Sequence, residues 1–131
     1  MQEKRKIISK VKKFLYERPE TIYAYLHGSF LEGIFYRDID NAIYIDYKKM
    51  TWDNKFDYCE QINIELSKLT RIDIDIQILN DTPLGFYHSV IKNGKLLFSK
   101  NDELRVDNNE KKCHEYIDFY EYSLQYLMEI A

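Results

Sequence analysis

The sequence predicts an α+β fold, a mixed β-sheet with helices packed on one side, in a single domain spanning residues 1–131. Three observations predict it. Apolar residues recur with helical spacing in four stretches and with strand spacing in four others, in the order helix, strand, strand, helix, strand, helix, strand, helix. Residues 71–79 alternate strictly, as a strand with one packed and one polar face does. The length suits one core, and no repeat, low-complexity tract or linker interrupts the chain.

The first helix covers residues 3–17. Ile7, Ile8, Val11, Phe14 and Leu15 share one face, and Lys4, Lys6, Lys10, Lys12 and Lys13 fall largely on the other, a solvated one. Pro19 ends the helix. Residues 21–27 form a strand running into Gly28-Ser29, and residues 31–37 make a loop around Gly33. Residues 38–47 form a second strand, and the short link favours an antiparallel, hairpin-like pair. Trp52 to Leu69 reads as a helix with Phe56, Cys59, Ile62, Ile64, Leu66 and Leu69 at its apolar positions. In residues 71–79, Ile72, Ile74, Ile76 and Ile78 face one way, and Asp73, Asp75, Gln77 and Leu79 the other. Asn80-Asp81-Thr82-Pro83 is a turn and helix start, with a short helix to about Lys92. Asn93-Gly94 is a tight turn before a short edge strand, Lys95 to Ser99. The last helix runs from about Asn108 to Ile130. Its aromatic residues are expected to be mostly core, with the surplus tyrosines at an interface.

Composition narrows the function classes. The net charge of −3 argues against a general nucleic-acid binder. Cys59 and Cys113 lie far apart with no metal-ligand spacing, which suggests free thiols in a reducing cytoplasm. The basic N-terminus lacks the apolar core of a signal peptide, and no apolar run approaches a membrane span. The chain therefore reads as a cytoplasmic protein.

The chemistry gathers at two strands. Asp38 and Asp40 flank one isoleucine, so both point to the same face, roughly 7 Å apart along the strand. Such a pair can hold a hard divalent cation such as Mg²⁺. Gly28 lets a phosphate approach the backbone closely, and Ser29 offers a hydroxyl donor. Asp75, on a neighbouring strand, can serve as a third ligand or as a base. An Asp-x-Asp on a half-exposed strand is common, and Gly-Ser alone is uninformative; their coincidence with Asp75 carries the signal. Asp38, Asp40, Asp73 and Asp75 also sit in strands, which aspartate disfavours, and such conflicts are often functional. The combination suggests a site for a metal-bound nucleoside triphosphate. His27, His88, His114 and Arg37 read as packing or surface residues. Asn41 is expected to face the helices with Ile39 and Ile43, where a buried amide without a partner costs about 1–3 kcal/mol.

The stretch YLHGSFLEGIFYRDIDNAIYI resembles the Gly-Ser…Asp-x-Asp signature of the DNA polymerase β-like nucleotidyltransferase superfamily. The stretch RIDIDIQILNDTPLGFYHSVIKNGKLLFS is similar to the third-carboxylate strand, turn and helix of its minimal nucleotidyltransferases, the MNT proteins. The likeness covers roughly residues 20–105 and implies a polymerase β palm-like fold. It implies Mg²⁺ held by Asp38, Asp40 and Asp75, these same residues being catalytic, with ATP phosphates at Gly28 and Ser29. It further implies an antitoxin that transfers AMP to a tyrosine of a helical HEPN-domain partner, without direct nucleic-acid binding. The rival is a binding module of the same fold that neutralises its partner by contact alone. A transferase acting on a small molecule ranks last, because it needs a second domain to hold the acceptor.

Overall fold

The isoleucines of two strands turn to one side and the strand tyrosines to the other, so the sheet has two unlike faces. The computed structural model describes residues 2–28, 38–50 and 54–130. Its elements are α1 (Gln2–Glu17), β1 (Thr21–His27), β2 (Asp38–Ile45), α2 (Lys55–Thr70), β3 (Asp73–Ile78), α3 (Leu84–Asn93), β4 (Lys95–Ser99) and α4 (Asp102–Ile130), with 3₁₀ turns at Tyr47–Lys49 and Leu79–Asp81. The sheet order is β3-β2-β1-β4. β1 is antiparallel to both β2 and β4, while β2 and β3 run parallel through the α2 crossover.

The first face carries the aliphatic core. Ile7, Val11 and Leu15 of α1 and Tyr58, Ile62 and Leu66 of α2 pack on Ile39, Ile43, Ile45, Ile74 and Ile76. Each such aliphatic side chain contributes about 1.5–3 kcal/mol by leaving water. Thr21 holds the end of α1 by donating from Oγ1 to the Arg18 carbonyl at 2.9 Å and to the Leu15 carbonyl. α2 starts later than the sequence suggests, because Asn54 caps it by accepting from the Phe56 N–H at 2.7 Å. Trp52 lies outside the described residues. α2 also seals the open edge of β3. The Ile76 N–H donates to Asn63 Oδ1 at 2.8 Å and the Ile74 N–H to Ser67 Oγ at 3.1 Å.

The second face is not left bare. Tyr23, Tyr25, Ala42, Leu79, Tyr87 and Val90 form a second cluster under α3. Hydroxyls knit this layer to α4. Tyr23 and Tyr87 share a hydrogen bond of 2.8 Å, Tyr87 donates to Asn109 Oδ1 at 2.8 Å, and Asn109 Nδ2 donates to the Tyr25 hydroxyl at 3.1 Å. Burial pushes the Tyr23 and Tyr87 phenols up, so they stay neutral hydrogen-bonding groups. The expected one-sided helical layer is therefore α1 with α2, and a second layer covers the β1 side of the other face.

Two local readings gain their physical reason here. Gly94 is extended, at φ −83°, and serves by lacking a side chain: a Cβ there would collide with the Val90 carbonyl and stand 3.0 Å from the Leu26 carbonyl. Asn80 does more than turn the chain. Its amide accepts from the Ile45 N–H at 3.0 Å and donates to the Ile45 carbonyl at 2.8 Å, as a strand neighbour would. No helix among the described residues is long and apolar enough to cross a membrane.

Candidate active site

Strand register assembles the acidic residues. Asp38 pairs with Asp73 and Asp40 with Asp75 across the parallel β2–β3 ladder. On the other side of Asp40, β1 supplies His27. Neighbouring strands lie about 4.8 Å apart, and partners in register share a face. The second face therefore carries a rung of His27, Asp40 and Asp75, with Asp73 two residues before Asp75 on the same side. The isoleucines beside them are buried on the first face, so Asp40, Asp73 and Asp75 point away from that core. Asp73 and Asp75 are exposed and Asp40 is half-buried. Of Asp38 only the backbone is described. Ser29 and Arg37 lie outside the described residues.

Gly28 closes over this rung. Its φ is +89°, in the region that favours glycine, and a Cβ there would collide with Asp40 Oδ2 and stand 3.3 Å from Asp40 Cγ. The glycine is thus required twice, by its backbone angle and by the carboxylate against it.

His27 packs on Phe86 in a T-shaped contact with ring centroids 5.4 Å apart. Burial lowers its pKa, opposed by Asp40 and then Asp75. Its Nε2 is buried and has no hydrogen-bond partner among the described residues. The packing role read from the sequence holds, and the structure adds a neutral imidazole beside two carboxylates. Cys59 also lies near Asp75. Burial first, then that carboxylate, pushes its thiol up to about 11, opposed by Lys55, so it is an inert thiol.

A cavity of about 570 Å³ adjoins Asp75. Phe56, Cys59 and Asn63 of α2, Asp75 and Gln77 of β3, and Phe86 of α3 line it. Its size suits a small organic group, and its walls combine aromatic rings with amides. Gln77 Oε1 is buried without a partner among the described residues, an acceptor left for a ligand donor. The sequence does not reveal this cavity, because its walls come from three elements joined only by the crossover and the Leu79–Asp81 turn.

The donor set is hard carboxylate oxygen, which suits Mg²⁺. The described residues bring Asp40 and Asp75 to one rung. Among the described side chains no three carboxylate, histidine or cysteine groups form a metal site; that of Asp38 is not one of them. Asn41 does face the first core, as expected. It is fully buried, and neither of its amide atoms has a partner among the described residues.

The family description "Polymerase beta, Nucleotidyltransferase" matches residues 9–103. Among solved structures, the chain is similar to one in a complex of a tri-AMPylated Shewanella oneidensis HEPN toxin with an MNT antitoxin, with 20% identity, a TM-score of 0.73, and coverage of 97% of this chain and 98% of that chain. A toxin–antitoxin structure with AMP-PNP shares 21% identity at a TM-score of 0.73, covering 94% of this chain and 97% of that one. A further structure, of the toxin–antitoxin pair MntA-HepT, shares 20% identity at a TM-score of 0.59 over 98% of this chain and 93% of the other. No curated protein matches the chain.

Proposed function

The chain belongs to the polymerase β nucleotidyltransferase family, and from that premise we propose that it transfers AMP from ATP, with Mg²⁺, to a tyrosine of a HEPN-type partner. In this reading it is the antitoxin of a toxin–antitoxin pair. The observation that carries the reading is the register placing Asp40 beside Asp75, with the Gly28 turn against Asp40. The likeness to chains solved with a tri-AMPylated HEPN toxin and with AMP-PNP supports the choice of nucleotide and partner.

Asp38, Asp40 and Asp75 would hold Mg²⁺, which when bound neutralises phosphate charge and lowers the pKa of an attacking hydroxyl. Gly28 and Ser29 bind the β- and γ-phosphates through backbone N–H groups and a hydroxyl. The acceptor tyrosine oxygen bonds to the α-phosphorus. The bond from that phosphorus to the bridging oxygen breaks, and pyrophosphate leaves with the electron pair. Asp75 takes the phenolic proton or completes the ligand set. A phenol has a pKa of about 10, so the step needs such help near neutral pH.

The test is direct. The HEPN-type partner that this reading requires is incubated with the chain, ATP and Mg²⁺, and intact masses are measured. The partner should gain one or more AMP units, and Asp75→Asn should suppress the gain even at ATP concentrations high enough to saturate the variant. A partner neutralised at unchanged mass would replace this reading with the second one, neutralisation by contact. That second reading is favoured by one observation, the large exposed aromatic surface of α4.

A further inference from the structure

α4 has 29 residues, about 43 Å of helix, and among the described residues only its first part is held by the rest of the domain. Arg105, Asn108 and Asn109 bond to buried tyrosines. Tyr116 lies flat on His88, with ring centroids 4.0 Å apart. Beyond Tyr116, every side chain described up to Glu129 is exposed except the half-buried Ser123. The expectation that this aromatic stretch is mostly core is therefore wrong. The helix outruns its packing against α3, and nothing among the described residues reaches back to cover it.

That free end is not built for water. Ile117, Tyr120, Leu124 and Leu127 are between 43% and 57% exposed. They follow one another at steps of 3, 4 and 3 residues, the spacing of a seam that packs against another helix. Monomeric proteins rarely leave so continuous an apolar run in water, so the stretch calls for a covering surface. Its charge narrows the choice. Residues 113–131 contain Glu115, Asp118, Glu121 and Glu129 and no lysine or arginine.

We propose that the distal half of α4 docks a helical partner protein whose apolar ridge is flanked by lysines and arginines. The seam packs into that ridge, and the carboxylates meet the basic flank. The inference rests on the proposed reaction in one respect: the docked protein is the one that carries the acceptor tyrosine. A second copy of this chain fits poorly. Symmetric pairing through α4 would set acidic residues against their equals. Pairing of α4 with the lysine-rich α1 of a second copy would close only if it were repeated across a two-fold axis, an outcome the dimer measurement below reads. Anionic membranes and nucleic acids are repelled by the same carboxylates.

The experiment uses the full chain and the HEPN-type partner that the proposed reaction requires, with affinity read by calorimetry. Two double variants are compared with wild type: Tyr120→Arg with Leu124→Arg, and Asp118→Lys with Glu121→Lys. All four positions are exposed, so circular dichroism melting should be unchanged. The seam variant should bind at least 100-fold more weakly. The charge variant should bind about 10-fold more weakly and lose the salt dependence that wild type shows. In AMP transfer, the seam variant should raise KM for the partner and leave kcat unchanged. Wild-type affinity in both variants would overturn the docking surface and leave the proposed reaction standing. Tight docking through α4 without any AMP transfer would overturn the reaction and leave the surface standing. A wild-type dimer that the seam variant converts to monomer, with partner affinity intact, would assign the seam to a second copy and overturn the proposal.

Discussion

Removing one charge from the acidic rung should stabilise the metal-free protein and weaken its response to nucleotide. Asp75→Asn keeps the size of the side chain and deletes its charge. Asp40 and Asp75 are direct partners on adjacent strands, about 4.8 Å apart at the backbone. Two like charges at about 5 Å in a water-like dielectric repel by roughly 0.8 kcal/mol. Like charges set opposite each other on a sheet cost the same order. Asp75 is exposed, so the water-like value applies. About 1 kcal/mol corresponds to roughly 3–5 °C in Tm for a chain of this size. In EDTA, Asp75→Asn should therefore melt a few degrees above wild type, and salt should shrink the gap. With Mg²⁺ and ATP the order should reverse. Ligand at 100 times its Kd stabilises wild type by about 2.7 kcal/mol, and the variant should gain far less. Differential scanning fluorimetry with EDTA, with Mg²⁺, and with Mg²⁺ plus ATP reads all three states. Equal melting of the two proteins in EDTA, together with equal gains from Mg²⁺ and ATP, would refute the idea that this rung is an electrostatically strained cation site.

Other positions give independent checks. Gly28→Ala should destabilise by about 1–3 kcal/mol in chemical denaturation and abolish the Mg²⁺-ATP shift, because its Cβ meets Asp40 in a backbone conformation alanine disfavours. Asn41→Leu should raise stability by about 1–3 kcal/mol, since it replaces a buried amide lacking a partner among the described residues; a loss in urea titration would mean that the amide is satisfied. Asn80→Ala should cost about 1–3 kcal/mol by leaving both backbone groups of Ile45 unpaired. His27 has a folded pKa below its ordinary 6.5, so its contribution to stability is present above pH 6.5 and is lost as pH falls below it. His27→Gln should flatten this acid-side loss in metal-free urea titrations at stepped pH, and an unchanged slope would exclude His27 as its source.

Periodicity alone determines much of this protein. Strict alternation in residues 71–79 requires Asp73 and Asp75 to share a face, because strand side chains alternate whatever lies beside them. The same rule predicts a shared face for Asp38 and Asp40 and sends Asn41 toward the first core. The glycine before the acidic strand and the helical stretches are equally local signals. Pairing is not local. That Asp40 stands beside Asp75, with His27 completing the rung, depends on the register of three strands, two of them joined by the α2 crossover. The cavity beside Asp75 depends on where α2 and α3 come to rest around β3. The sequence also misjudges the last helix. Tyr116 and Tyr120 are only four residues apart in one aromatic helix, yet Tyr116 stacks on His88 and Tyr120 is 55% exposed. Composition cannot tell them apart, because burial depends on how far α3 runs alongside the helix, and only the packed chain sets that extent.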